Sequence, residues 1–381
     1  MKSYKILVVG DIFDNHIIRF LRNLKWCNSH ALVDVISFNN HYELCDEVED
    51  LFNKIYWFDP QTTQIRFLKD FQRIVQLNVF LKTIAIENHY DIVNIHFPTF
   101  EYSFCIGALK RLADNIVLTP WGSDVYRAGK LRLNILKHLY SKADYICNPH
   151  TRFGKDVRKI FNLRQEQLVN LSMGSETIDY IIENKEKFSP EEARKYLSLE
   201  GDYFITCGYN AHIAQNHKAI IDGIIKIKTN FNGQLSLIFP MTYPKNTVYV
   251  DKIKNYVKEK GLKSYFFTDY LDLHTLFCIR QSTDMFIHVQ DTDANAASVQ
   301  EYLLLGKKVL NGSWLRYDNM EIDGVIPYTI VKNLDSISEA ILESQNENPK
   351  ITLKLFEYIK TSGWKNWITQ WDSFFISICN Q

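Results

Sequence analysis

The chain lacks a paired-cysteine motif, a surplus of charge, a long apolar run and a glycine-rich phosphate loop, and each absence removes a class of function. Its seven cysteines, at 27, 45, 105, 147, 207, 278 and 379, are scattered and odd in number. That excludes a C-x-x-C zinc or redox site and fits a reducing compartment, read here as the cytoplasm. Lysine plus arginine equals aspartate plus glutamate at 44 each, so no global basic field announces a nucleic-acid partner. No window reaches the roughly 18 apolar residues of a membrane span, and Ile6 to Gly10 is too short for an export signal, so neither is expected. A Walker loop is missing. After the first apolar run, Gly10-Asp11-Ile12-Phe13-Asp14-Asn15-His16 lacks the G-x-G-x-x-G of close pyrophosphate approach. Kinases, ATPases and nicotinamide dehydrogenases are thereby disfavoured.

What is present is apolar material for two cores: 46% of the 381 residues are hydrophobic and 14% aromatic. Short apolar runs predict strands at 5–9, 31–37, 55–58, 92–95, 116–119, 145–148 and 168–171. Amphipathic stretches predict helices at 17–24, 63–88, 104–113, 131–142 and 152–161. The series pauses between Met173 and Gly201, across Gly174 and a charged run from Glu183 to Lys195, and restarts at Tyr203. Further strands are expected at 203–208, 235–239, 265–268, 285–289, 307–310 and 328–331, with helices at 216–229 and 247–260. The fold class is therefore α/β: two doubly wound, Rossmann-like domains, 1–175 and 176–350, hinged near residue 175 and facing a central cleft. A tail over 351–381, with Trp364, Trp367, Trp371, Phe374 and Phe375 at helical spacing, reads as a helical segment packing across the domains.

The most pointed motif runs from Asp291 to Leu310. Met285–Val289 reads as a buried strand and Ala296–Leu305 as a helix ended by Gly306. Asp293 then stands in the loop at the carboxyl end of a strand, with Glu301 about two turns into the helix, so that two acceptors can hold two polyol groups. Asn295, Ala296 and Ser298 are small enough to leave the helix N-terminus open to a diphosphate. Helix capping by Asp293 and Ser298, with Glu301 merely solvated, accounts for the same spacing. After the strand at 203–207, Gly208 permits close approach, Asn210 lies in the same polar loop, and Asn216, His217 and Lys218 can donate to a diphosphate at a helix start; Asn216 as a plain cap is the alternative. Pro240 to Asn246, with Tyr243 between two prolines, forms a rigid loop at the same sheet edge, for base contact or as a structural turn.

In the first domain, His96 and the run Thr119-Pro120-Trp121-Gly122-Ser123-Asp124 both follow apolar strands. Gly122 allows tight approach, and Ser123, Asp124 and Arg127 cluster beside the Trp121 wall. An interior histidine explains His96 equally, and His150 with Arg152 equally suits a solvent-facing pair. Asp11, Asp14 and His16, with Trp121, are the candidate acceptor side.

The order of these features resembles the retaining glycosyltransferases of the two-Rossmann (GT-B) type, family four, over nearly the whole chain. The resemblance is carried by Lys5–Gly10, Asp91–His96, Thr119–Asp124, Gly174-Ser175-Glu176 and the acidic pair Asp293 and Glu301. It implies contact of Asp293 with the donor sugar and of Glu301 with the nucleotide ribose. Trp121 stands where the family often has histidine, and Asp293 where it usually has glutamate. Gly208-Tyr209-Asn210, Asn216-His217 and Pro240 to Asn246 look like the transferases of 4-acetamido-4,6-dideoxygalactose, a fucosamine-type sugar, to lipid-linked oligosaccharides.

The expected activity is thus a hexosyl-type transfer from a nucleotide-diphosphate sugar to a glycan or lipid-linked acceptor in surface polysaccharide assembly, with retention of configuration. The candidate catalytic set is Asp293, His96, Trp121 and Asp124. The donor-binding set is Gly208, Asn210, Asn216, His217, Lys218, Tyr243, Asn295, Ala296, Ser298 and Glu301. Asn216, His217, Lys218 and the helix start would meet the charge growing on the departing diphosphate. No cofactor or metal is expected. Ten basic residues between Arg127 and Arg164, with the segment from Ile65 to Val75, read either as a solvated face or as a surface for peripheral contact with an anionic membrane. A two-lobed sugar-binding protein and a sugar-nucleotide epimerase remain as other readings.

Overall fold

The computed structural model describes residues 3–38, 46–147, 149, 151–231, 233–294, 296–345 and 347–380. Two compact units divide the chain: Met1–Gly174 with Trp364–Gln381, and Ser175–Gly363.

In the first unit, strands β1 (Lys5–Val9), β2 (Leu32–Ser37), β3 (Lys54–Trp57), β4 (Tyr90–His96), β5 (Ala113–Thr119), β6 (Tyr145–Cys147) and β7 (Leu168–Val169) form one sheet in the order β3-β2-β1-β4-β5-β6-β7. Every pairing is parallel. Helices cover both faces of such a sheet, which is why its central strands are continuous apolar runs instead of alternating ones: Ile6, Leu7, Val8, Ile92, Val93 and Ile95 are all fully buried. Val9 is paired with both Ile36 and Ile95, and His96 with Thr119. The carboxyl ends of β1, β4 and β5 therefore open at one edge.

The tail over 351–381 is shared between the units. Leu353–Lys360 puts Leu355 and Ile359 into the core of the second unit. Trp364–Ile378 puts Trp364, Trp371 and Phe375 into the core of the first, against Tyr4 and Phe20. Full burial of each such side chain contributes about 1.5–3 kcal/mol. The Trp371 indole N–H donates to Ser172 O at 2.9 Å and the Tyr4 hydroxyl to Asp372 at 2.9 Å. A Cβ on Gly174 would lie 2.5 Å from the Trp364 Cα, so glycine is required there.

In the second unit, β8 (Tyr203–Cys207), β9 (Leu235–Pro240), β10 (Lys263–Phe267), β11 (Met285–His288), β12 (Lys308–Gly312) and β13 (Thr329–Val331) form a parallel sheet in the order β10-β9-β8-β11-β12-β13. The stretch where the strand pattern pauses holds two helices, Glu176–Asn184 and Pro190–Tyr196, each started by a serine cap. A third helix, Leu273–Ser282, lies between β10 and β11, where the sequence pattern assigns none. Six successive residues of it, Phe277 to Ser282, are buried, so no amphipathic period marks it. Among the described residues, no helix is long and apolar enough to cross a membrane.

Candidate active site

Both sheets reverse strand order in the middle, between β1 and β4 and between β8 and β11. The loops leaving the carboxyl ends beside such a reversal form the ligand crevice of an open α/β sheet.

In the second unit those loops are Gly208–Asn216 and Val289–Ala296, and hydrogen bonds join them. Gly208 takes φ 65°. The Asn216 amide donates to Val289 O at 2.8 Å and to Asp291 Oδ1 at 2.9 Å, so its side chain ties the loops together instead of capping the helix it precedes. Gln215 Nε2 donates to Gln290 Oε1 at 2.7 Å. The Tyr209 hydroxyl donates to Asp293 Oδ2 at 3.1 Å, and Gln290 Nε2 is a second donor to that oxygen. His288 Nε2 stands 3.7 Å from the same oxygen, and its Nδ1 contacts Asn311 Oδ1 at 2.8 Å. Asp293 is thus oriented by a tyrosine and an amide, and it does not cap the following helix. That helix, Ala297–Leu304, has Ala296 at its cap and no side-chain cap bond, so among the described residues no cap side chain takes up its first N–H groups.

Glu301 is the fifth residue of that helix, about 6 Å along its axis, closer to its start than the spacing alone predicts. It is buried: Oε2 accepts from Arg280 Nε at 2.9 Å and Oε1 from Ser175 Oγ at 3.1 Å. Burial opposes the Arg280 charge, but Tyr302 and Glu301 outweigh it and hold the guanidinium ionised. The solvated alternative for Glu301 is therefore removed.

His217 is fully buried, with Nδ1 3.1 Å from the Tyr249 hydroxyl and Nε2 unpartnered. Burial pushes its pKa down to about 4, so it is neutral at pH 7. The Tyr249 contact engages Nδ1 and leaves Nε2 as the unpartnered ring nitrogen, beside the open side of Gly208. A Cβ on Gly208 would come 3.0 Å from that nitrogen and 2.8 Å from Gln215 Oε1. Ser298 Oγ, in the first turn of its helix, is likewise buried and unpartnered. Asn210 Oδ1 accepts from His212 N at 2.8 Å, and Tyr243 O accepts from Ala211 N at 2.6 Å, which binds the Pro240–Asn246 loop to this group. Lys218 is exposed and pairs with Asp222 at 3.3 Å, one turn along its own helix. Asn295 and His150 lie outside the described residues.

In the first unit, His96, Trp121 and His16 form a ring cluster: His96–Trp121 centroids are 6.2 Å apart and His16–Trp121 5.0 Å. His96 is buried with both ring nitrogens unpartnered, and burial, with His16 nearby, pushes its pKa down to about 3. The Trp121 indole N–H also has no acceptor. Asp124 Oδ1 accepts from the Gly122 and Trp121 amides at 2.7 and 3.0 Å, while Oδ2 is buried and unpartnered. Burial lifts the Asp124 pKa to about 6, against the pull of those amides. Gly122, at φ 110°, makes the turn. Asp14 caps the helix Asn15–Cys27 by accepting from His16 N at 2.8 Å, and Asp11 Oδ1 accepts from Phe13 N at 3.1 Å. Gly10 serves packing: a Cβ there would lie 2.5 Å from Ile17 Cδ1.

Sequence reasoning missed Arg280, Gln290 and His288. The signal for Arg280 was a lone cation closing the apolar stretch Leu276 to Ile279; Gln290 and His288 carried none. Among the described residues, no group of three or more histidine, cysteine or acidic side chains is placed to hold a metal ion.

Residues 5–149 match the model of the glycosyl transferase 4-like family. The whole chain shares its fold with solved structures. A glycosyltransferase from Rickettsia africae aligns over 99% of each chain at 14% identity and TM-score 0.71. Sucrose-phosphate synthase from Thermosynechococcus elongatus covers 98% of this chain and 99% of its own at 13% identity and TM-score 0.69. HepE of Anabaena, in complex with UDP, covers 98% of this chain and 100% of its own at 12% identity and TM-score 0.67. No curated protein matches the chain. The fold these findings show is the two-sheet GT-B architecture, and residues 5–149 are similar to the glycosyl transferase 4-like model.

Proposed function

We propose that the protein is a glycosyltransferase that moves a hexosyl-type sugar from a nucleoside-diphosphate donor to a hydroxyl of a glycan or lipid-linked oligosaccharide. The observation that carries this reading is the β8/β11 edge. A glycine at positive φ, an unpartnered imidazole nitrogen, an open helix start and an oriented carboxylate are gathered there on two joined loops. The structural relative HepE holds UDP, which accords with a diphosphate at such an edge. Asp293 would accept a donor-sugar hydroxyl, and the N–H groups of Ala297 and Ser298 with His217 Nε2 would face the diphosphate. Glu301, engaged by Arg280 and Ser175, holds its helix in place and offers its remaining lone pairs to the ribose.

The acceptor oxygen bonds to the anomeric carbon while the bond to the diphosphate oxygen breaks, and the acceptor proton passes to the departing phosphate. Configuration is retained in this scheme, and a fucosamine-type donor suits the Gly208–Asn216 and Pro240–Asn246 loops. His96, Trp121, Asp124, Asp11, Asp14 and His16 are assigned to the acceptor. No divalent cation is required, so a chelator should leave turnover unchanged. Work at an anionic membrane surface on the cytoplasmic side, in surface polysaccharide assembly, belongs to the same reading.

Thermal-shift screening against uridine, thymidine, guanosine and cytidine diphosphates tests it, with Asp293→Asn and Glu301→Gln beside the wild type. A selective shift, with release of free nucleotide only when an acceptor is added, is expected. Epimerisation of the donor, or sugar binding without any nucleotide shift, would refute it.

A further inference from the structure

The 22-residue helix Arg66–Glu87 carries its apolar residues on both faces. Leu77, Leu81 and Ile84 are buried. At 3.6 residues per turn, Leu68, Phe71, Val75, Val79 and Ile86 gather about the opposite pole, and they are 44%, 60%, 45%, 59% and 82% exposed. From Leu68 to Ile86 the stripe is about 27 Å long. Phe104, 52% exposed, extends it on the side where Asn78 Nδ2 donates to Phe104 O at 3.1 Å. On the other side Gln72 and Gln76 already bind the backbone of Thr63 and Gln61.

The charge at this face has one sign. Lys82 lies within the stripe and Lys69 on the flank beyond Gln72 and Gln76, and among the described residues neither has an ion-pair partner. Of the carboxylates of the helix, Asp70 lies on the side of the buried Leu77 and Leu81, and Glu87 lies on the flank at the last residue. Because β3, this helix and β4 follow one another in a parallel sheet, the start of the helix stands at the carboxyl edge of the strands, with the loops of Asp14, His96 and Trp121. The helix Lys130–Lys142 starts at the same edge, with Leu131 74% exposed and Arg132 over the Phe100 ring at 5.1 Å.

We propose that this stripe is a docking face for an anionic lipid surface. The helix lies in the headgroup plane, its outer apolar residues enter the acyl boundary, and Lys69, Lys82, Lys130 and Arg132 meet anionic headgroups. A second copy of the chain fits less well, since pairing two such stripes would bury Lys82 against apolar residues with no carboxylate to receive it. The inference rests on the lipid-linked form of the acceptor reading, for which it supplies the surface that presents the acceptor to the first unit.

The test is flotation of the full chain at low salt with phosphatidylglycerol/phosphatidylcholine vesicles and with phosphatidylcholine alone, beside Val75→Glu/Val79→Glu and Lys82→Glu. The wild type should float with the anionic vesicles only. Each variant should lose about fivefold or more of the bound fraction, with helix content and nucleoside-diphosphate thermal shift unchanged. Binding that ignores vesicle charge, variants that float like the wild type, or a wild-type dimer that Val75→Glu/Val79→Glu dissociates would overturn the docking face. Flotation of a wild type that shows no nucleotide shift would keep the docking face and count against the transferase reading alone.

Discussion

The Arg280 guanidinium meets the Glu301 carboxylate at 2.9 Å, with 5% and 6% of the two side chains exposed. Glu301 also accepts from Ser175, which caps the helix Glu176–Asn184. The helix of the acidic motif is thus pinned to the first residue of its unit. Removing one partner of a buried pair strands the other charge, so Glu301→Ala should cost about 3–5 kcal/mol. Glu301→Gln, which keeps an acceptor for Arg280 and Ser175, should cost less. Arg280→Met with Glu301→Leu should be milder than the sum of the single losses, and a double-mutant cycle in urea would measure the coupling. Additive losses would mean that the pair does not act as a unit.

Gly208→Ala separates backbone strain from ligand space. Its φ of 65° costs an alanine roughly 1–2 kcal/mol, and the new Cβ would crowd Gln215 and His217. Gly261, at φ 62° with nothing near its missing Cβ, is the control. Both alanine variants should lose similar stability by thermal melting. Only Gly208→Ala should abolish the shift with a nucleoside diphosphate.

Acid stability should depend on His96 and His217. Both pKa values are lowered on folding, to about 3 and about 4, so the unfolded chain binds more protons below its own histidine pKa of about 6.5. Stability from each group is present above that value and is lost as the pH falls toward the folded pKa, at about 1.4 kcal/mol per pH unit per histidine. Denaturation midpoints measured from pH 7 to 4.5 should fall steeply in the wild type. The slope should be smaller in His217→Gln.

Asp124 should behave in the opposite sense. Its pKa is raised to about 6, so its contribution is full below the unfolded carboxyl value and is lost as the pH rises through 6. Asp124→Asn keeps an acceptor for the Trp121 and Gly122 amides and should fold normally at pH 7. Asp124→Ala leaves those amides without a partner, and about 1–3 kcal/mol of destabilisation is expected in urea titration. Equal stability of the two variants would show that the amides find other acceptors.

The strand series was legible because a parallel sheet covered on both faces writes each strand as an unbroken apolar run. All thirteen strands among the described residues fall on predicted runs, with ends shifted by up to three residues. Helices with a solvent side, such as Asn15–Cys27 and Thr247–Glu259, were legible for the same kind of reason. The helix Leu273–Ser282 was not, since burial all round erases the period that would reveal it.

Sequence by itself determined the class of fold and which loops hold polar and small residues at strand ends, because these follow from local composition and period. Tertiary structure decided what those residues do. It tied the Asn216 side chain across to Val289 and Asp291 and placed Arg280 on Glu301 from 21 residues away. It also turned five apolar side chains of the helix Arg66–Glu87 outward. Spacing along the chain constrains neighbours within a few turns; partners across a sheet are chosen by packing, desolvation and charge pairing, which local sequence does not encode.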